Sequence, residues 1–468
     1  MHADFAAADR LRGTVAEVRM HRLIQELLRL VPAIMMVGMF GAAQAADTQR
    51  MDDLVQSYVK DGKFMGSVLV WKNGKALLDK GYGYANLEWQ VPNGPDTKFR
   101  LGSMSKQFTA GAVLLLQQRG KLNINDPIKK YVPDAPAAWD KITLYHLLTH
   151  TSGIPNFTDM PSYTEWERKP AKPTEMVAWF KDKPLEFAPG SKWRYSNSGY
   201  ILLGVVIEKA SGMTYQQFLA DNIFAPLGMR DSGYDSNHAI IARHASGYSP
   251  GKKGVEPAGY VDMSVPYSAG ALYSTTHDIL LWEQGLFGGK LLNAENLKTM
   301  TTPFLEKYGC GFWIQDVAGH RDVTHSGAIE GFNTRGDYLP DDNAVVVVLG
   351  NLNGVAPNEL AGYLVTLALD KPLTLPSERK AVAIDPATFD AYAGTYQFSP
   401  QFRIAFTRDG AHFYAQGTGQ QRTEIFPQSA NEFFAKAVDA VFRFEAGGKP
   451  KVYLHQGGRD VPAERVSP

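Results

Sequence analysis

The sequence contains one cysteine, Cys310, so an intramolecular disulfide and zinc or iron–sulfur centres built on several cysteines are excluded. A surplus of charge of either sign is also missing. The 468 residues hold 48 Lys and Arg against 48 Asp and Glu, and a chain without a basic face cannot displace counterions from a nucleic acid. No metal cluster, phosphate loop, nucleotide motif, internal repeat or low-complexity run is present. What the chain does have is 44% hydrophobic and 11% aromatic residues, which excludes a disordered or collagen-like polymer. Its length suggests about two or three domains, each able to bury a core.

Long apolar runs are scarce too. The longest, Leu30 to Ala43, is preceded by His21, Arg22 and Arg29 and followed by Ala43-Gln44-Ala45. A run of about fourteen residues is short for a membrane span, and this order of basic, apolar and small residues is that of a secretory signal. Residues 1–45 therefore read as a signal peptide cut after Ala45, with Met20 as the expected start of translation and an uncleaved anchor as the alternative. The working part is expected in the periplasm or outside the cell, without stable membrane insertion once the signal is removed.

After the signal, Met51, Leu54, Val55 and Tyr58 recur at helical spacing. Asn73-Gly74 between Gly66–Lys72 and Lys75–Leu78 predicts a hairpin, because that dipeptide supplies the two positive φ angles of a type I′ turn. Residues 104–119 form an apolar helix ended by Gly120. The stretch from about 125 to 300 is mostly helices and loops, and strands return at Asp322–His325, Thr334–Tyr338 and Ala344–Leu349, before a helix across Asn358–Leu369. Strands at both ends with helices between them predict an α+β domain whose sheet is closed by distant segments. The proline-rich segment 371–386 reads as a linker. Residues 387–468, with strands at Phe402–Phe406, His412–Ala415, Val441–Phe444 and Val452–Leu454, read as a small antiparallel β domain. Cys310, in Tyr308-Gly309-Cys310-Gly311-Phe312-Trp313, is expected to be a small core residue in a strand or tight turn.

Ser103-Met104-Ser105-Lys106 opens the 104–119 helix and puts Ser103 and Lys106 one turn apart on one face. A lysine buried there loses proton affinity and can take the hydroxyl proton of the serine, while helix N-terminal amides favour a developing anion. The other Ser-x-x-Lys quartets, Ser57/Lys60, Ser249/Lys252 and Ser377/Lys380, lie on a surface helix, beside glycine and in the linker. Downstream come Tyr195-Ser196-Asn197 and His325-Ser326-Gly327. Gly247-Tyr248-Ser249-Pro250-Gly251 matches a Gly-x-Ser-x-Gly nucleophile elbow, but the Pro, Gly and Lys that follow will not start the helix an elbow needs.

The order Ser-x-x-Lys, Tyr-x-Asn, His-x-Gly resembles the serine β-lactamase and penicillin-binding protein superfamily, in particular its class C-like branch of D,D-peptidases, esterases and D-amino-acid peptidases. The flanks Leu147-Leu148-Thr149-His150-Thr151-Ser152-Gly153, Pro189-Gly190-Ser191 and Leu349-Gly350-Asn351 are similar as well. The likeness covers roughly residues 50–370. It implies a β-lactamase/transpeptidase-like α+β catalytic domain over 46–370, an antiparallel sheet flanked by helices with a helical subdomain, and a C-terminal lipocalin-like barrel over 387–468.

The resemblance further implies that Ser103 is the acylated nucleophile, Lys106 its base, and Tyr195 a proton relay to the leaving group. Asn197 would hold the substrate amide, His325 and Ser326 would line the edge strand at Gly327, and the backbone N–H groups of Ser103 and Ala328 would form the oxyanion hole. No cofactor or metal is needed, and the expected partner is a small molecule or a peptidoglycan peptide. Class C β-lactamases carry lysine in the third motif, whereas His325 is charged only below roughly pH 6.5 at its ordinary pKa. That shifts weight from drug hydrolysis towards an esterase or peptidase. A penicillin-binding or sensing protein that acylates with little turnover is the alternative.

Overall fold

Both central residues of the turn at Asn73 and Gly74 have positive φ, 49° and 86°, and the turn joins β1 (Gly66–Lys72) to β2 (Lys75–Tyr82) as the dipeptide predicts. These details come from a computed structural model, which describes residues 48–467 except 376–377, 437–439, 446, 448–449 and 457–458. The expected signal segment 1–45 lies outside the described residues. Two compact units are distinguished, Met1–Asp53 and Leu54–Pro468. The described part of the first is the start of a helix, α1, over 48–60; everything below belongs to the second.

Four more strands complete a six-stranded antiparallel sheet. They are β3 (Trp313–Val317), β4 (His320–Ile329), β5 (Phe332–Leu339) and β6 (Ala344–Gly350), in the order β3-β4-β5-β6-β1-β2. The distant ends of the domain meet where β1 pairs with β6, from Gly66 opposite Gly350 to Lys72 opposite Ala344. All seven residues of β6 are buried, as in a strand covered on both faces, and helices α4 (Thr276–Phe287) and α5 (Ala356–Ala368) pack against it.

Between β2 and β3 lies the helical part, built on α2 (Ser105–Gln118) and α3 (Asn197–Ser211). Every residue of α2 from Ser105 to Leu116 is buried, so this helix is apolar all round and runs through the core. Gly111 lets it approach α4 closely, because a Cβ there would sit 2.8 Å from the Trp282 ring. Trp282 in turn donates to Gln107 at 2.9 Å.

Tyr248–Gly251 is a strand paired with Gly254–Pro257. A hairpin follows Ser249 where a nucleophile elbow needs a helix, so that reading is excluded.

No strand forms over the described residues between α5 and the C-terminal domain. Eight consecutive strands then close an antiparallel barrel: β7 (Gly394–Ser399), β8 (Phe402–Asp409), β9 (His412–Gly417), β10 (Thr423–Pro427), β11 (Glu432–Ala435), β12 (Ala440–Glu445), β13 (Lys451–Gln456) and β14 (Arg459–Ser467). β14 returns to β7, which removes both sheet edges. The barrel has its own aromatic core, separate from that of the larger domain. Sequence reasoning found β8, β9, β12 and β13. It missed β7, the strand β10, which ends in Pro427, the four-residue β11, and β14, which is polar and contains Pro462.

Candidate active site

Ser103 lies in a 3-10 turn, Gly102–Met104, that leads into α2. Three contacts hold this turn in place. The Leu101 N–H donates to Leu272 O at 2.8 Å, and Thr334 Oγ1 on β5 donates to Leu101 O at 2.7 Å. Gly102, at φ 53°, lies so close to β4 that a Cβ would be 2.9 Å from both the nitrogen and the oxygen of Ala328. A Cβ on Gly327 would overlap the Leu101 carbonyl. Glycine at these two places lets the backbone of Ser103 and that of Ala328 share one small space, as an oxyanion hole requires.

Lys106 is fully buried. Its Nζ lies 3.0 Å from Ser103 Oγ, 2.8 Å from Asn197 Oδ1 and 2.8 Å from Ala269 O. Desolvation holds its pKa well below the ordinary lysine value. A neutral amine has two N–H donors and one lone pair. The two carbonyl oxygens can only accept, so they take both donors, and the lone pair faces the Ser103 hydroxyl. This is the geometry of a serine activated by a neutral lysine.

Asn197, the first residue of α3, is held in turn. Its Nδ2 donates to Thr158 Oγ1 at 3.0 Å and its backbone N–H to Asn156 Oδ1 at 2.9 Å. Tyr195 is half-buried, and its ring centroid lies 4.8 Å from Lys106 Nζ. Desolvation raises its hydroxyl above the ordinary phenol range, opposed by a hydrogen bond with Ser103. It is therefore a neutral phenol, a group that can pass a proton rather than hold a negative charge.

β3 pairs with β4 only up to Thr324. Residues 325–329 have β5 on one side and, among the described residues, an open edge on the other. Ser326 is half-buried and Ala328 exposed on this edge.

His325, expected on the edge strand with a charge only below roughly pH 6.5, lies buried there. It is 3% exposed, its Nδ1 lies 2.6 Å from Ser326 O, and its Nε2 lies 3.1 Å from the Tyr308 hydroxyl. Burial, with Lys106 nearby, pushes its pKa down to about 3. The third motif is thus a neutral, fully engaged imidazole, and no cation stands there at physiological pH.

The sequence pattern did not assign Ala269, Thr158, Asn156 or Tyr308, which come from short helices and loops outside the motifs. The flank at 147–153 was visible but without a role. It forms a ladder with the loop carrying Tyr195, in which Arg194 N–H donates to His150 O at 2.9 Å, Gly190 N–H to Thr151 O at 2.8 Å and Glu186 N–H to Gly153 O at 2.9 Å. Asn351 is a buried latch that donates to Tyr84 O and Ser246 O at 3.0 and 2.9 Å. Cys310 is buried, and desolvation pushes its thiol up to about 12, so it is inert packing.

A cavity of about 1360 Å³ adjoins the open edge. Trp313, Ser326 and Arg335 line it on the catalytic side, and Arg443, Tyr453 and His455 on the barrel side. Ser103, Lys106 and Tyr195 do not line it.

An antiparallel sheet joined to a helical part, with Ser103 and the buried Lys106 3.0 Å apart between them, defines the β-lactamase/transpeptidase-like α+β fold. Residues 51–370 match the family described as Beta-lactamase, and the chain belongs to that family. Penicillin-binding protein 4* of Bacillus subtilis strain 168 is 28% identical over 449 residues, covering 89% of this chain and 98% of that protein. Among solved structures, the octameric penicillin-binding protein homologue from Pyrococcus abyssi is 25% identical, with a TM-score of 0.65 over 89% of this chain and 99% of that one. The D-amino acid amidase from Ochrobactrum anthropi SV3 is 26% identical, with a TM-score of 0.59 over 69% of this chain and 98% of its own. The chain is thus a member of a family of β-lactamase-fold serine hydrolases.

Proposed function

We propose that the protein is an exported serine hydrolase that forms an acyl-enzyme on Ser103. The bond between Ser103 Oγ and the acyl carbon forms, and the serine proton passes to Lys106. The bond to the leaving group then breaks; Tyr195 gives its hydroxyl proton to that group and takes the proton held by Lys106, which restores the neutral amine. Ser103 N–H and Ala328 N–H face the developing oxyanion, a contribution of about 10²–10³ in rate per donor. Water then releases the acyl group and restores the serine. The observation that carries this reading is the fully buried Lys106 amine, 3.0 Å from Ser103 Oγ and 2.8 Å from each of two carbonyl oxygens that can take its N–H groups.

The substrate class we favour is an amide or ester of a D-amino acid, or a peptidoglycan peptide containing one. His325 is neutral, so a substrate carboxylate has no cation to meet at the third motif, which weighs against dedicated drug hydrolysis. The relative titled a D-amino acid amidase fits this choice. The second reading, a penicillin-binding protein that acylates with little turnover, draws on the relative named a penicillin-binding protein. Residues 1–45 direct export to the periplasm or beyond, and the reaction uses no cofactor, nucleic acid or membrane anchor.

Intact-protein mass spectrometry of residues 46–468 with a penicillin, followed over time beside a short-chain p-nitrophenyl ester assay, tests the reading. Rapid ester cleavage without a penicillin adduct is the expected result. A persistent adduct establishes the second reading, and a transient one with drug consumption makes the protein a β-lactamase. Ser103→Ala abolishes both labelling and turnover, and survival of either refutes the assignment. N-terminal sequencing of the periplasmic protein is expected to start at Ala46.

A further inference from the structure

His150 is the centre of the flank at 147–153, and nothing above assigns it a role. It is 1% exposed and adopts φ 58°, a conformation that side chains other than glycine rarely take. Its imidazole lies against Tyr195, with ring centroids 4.3 Å apart and the planes at 38°. Tyr200 and Tyr308 flank it at 5.1 and 4.8 Å, and Trp193 meets it edge-on at 6.0 Å.

The Ser196 N–H donates to His150 Nδ1 at 3.1 Å, so in a neutral ring Nε2 carries the proton. That Nε2 is buried and has no hydrogen-bond partner among the described residues. A leucine or phenylalanine would spare that buried Nε2–H but leave the Ser196 N–H without its acceptor. The imidazole does two things together that neither of those can. It accepts the N–H of the residue next to Tyr195, and it presents a flat face to the phenol.

We propose that His150 is a positioning residue for Tyr195, holding the phenol by ring contact and its backbone through Ser196 so that the hydroxyl stays beside Ser103. The inference rests on the acyl-enzyme reading above and deepens it. His150 touches neither the substrate nor the reacting atoms. Its effect is confined to the step in which Tyr195 delivers a proton to the leaving group.

The test compares two esters of one short-chain acyl group. A p-nitrophenyl ester expels an anion stable enough to leave unprotonated, whereas the methyl ester must be protonated as it leaves. Acylation of Ser103 by each is followed by rapid-quench intact mass. His150→Phe keeps a ring face and strands the Ser196 N–H, and His150→Asn supplies an acceptor and removes the face, so the set stays informative if one variant folds poorly.

The expected result is that the ratio of p-nitrophenyl to methyl ester acylation rates rises at least tenfold over wild type in both variants. Tyr195→Phe should show the same selective loss. A fall equal for both esters, as general damage to the site would cause, or no fall at all, overturns the role of His150 alone. Failure of the wild-type protein to be acylated at Ser103 by either ester overturns the reading of Ser103 itself, and the inference with it.

Discussion

Burial without a counter-ion sets Lys106 apart from the other lysines. Among the described residues it makes no ion pair, and its partners are neutral oxygens, so the balance runs towards the free amine. Acylation is therefore expected to rise with pH through an apparent pKa below the ordinary lysine value of about 10.4. His325, neutral down to about 3, adds no inflection between pH 5 and 8. A pH–rate profile of p-nitrophenyl ester acylation checks both points, and an inflection near the histidine range that disappears in His325→Gln would contradict them.

Glu283 on α4 is the opposite case. It is an acid whose pKa is pushed well up by burial and by the neighbouring Asp337, and its Oε2 has no hydrogen-bond partner among the described residues. Between the ordinary carboxylate range and that raised value, the folded chain holds a proton that the unfolded chain gives up. Stability therefore falls as pH rises through that window. Glu283→Gln should raise the thermal midpoint more at pH 8 than at pH 5. These two groups also mark what was legible residue by residue. The spacing of Ser103 and Lys106 on an apolar helix announced a buried pair, whereas Glu283 meets Asp337, and His325 meets Tyr308, only across tertiary contacts that no local pattern encodes.

The 3-10 turn at Gly102–Met104 and strand β4 work as one part, because glycine at 102 and 327 removes the atoms that would keep them apart. Gly102→Ala would place a side chain at positive φ, about 1–2 kcal/mol of backbone strain, and push the Ala328 amide out of line. The expected outcome is a fall in acylation rate of about 10²–10³, the effect of losing one oxyanion donor, measured on protein whose circular dichroism is unchanged. Next to this pair on β5, Arg335 makes a buried fork with Asp337, with Nε 2.9 and 3.0 Å from its two oxygens, and lies 3.7 Å from Asp322. Arg335→Met leaves a buried carboxylate without its cation and should cost roughly 3–5 kcal/mol in urea denaturation. The hairpin of β1 and β2 and the helix α2 were readable from turn residues and periodicity, whereas the edge strand at His325 and Gly327 came with the family resemblance. The ladder between 150–153 and 186–194 was not, since its partners are loops without any repeating pattern.

Two separate cores divide the chain between residues 54 and 467, one under the six-stranded sheet and one inside the barrel. Phe444 is the hub of the second, ringed by Phe389, Tyr392, Tyr396, Phe406 and Phe433. Phe444→Ala should cost about 3–5 kcal/mol and lower a barrel transition in calorimetry, while ester acylation at 25 °C persists. Loss of acylation at that temperature would mean the two cores unfold as one. The α+β class and a C-terminal β domain followed from the alternation of strand and helix patterns. Closure into eight strands did not, because β11 is too short and β14 too polar to be recognised alone.

The pairing of β1 with β6 has a consequence for how the protein comes into being. Ser103 is synthesised early, but the strand that carries Ala328 and the strand that locks it to β1 come near the end of the domain. Until that last strand docks, the serine has a base one turn away but no anion site to complete the reaction. A chain threaded unfolded through a translocation channel would be chemically silent, and the appearance of a reactive serine would itself report that the domain had closed.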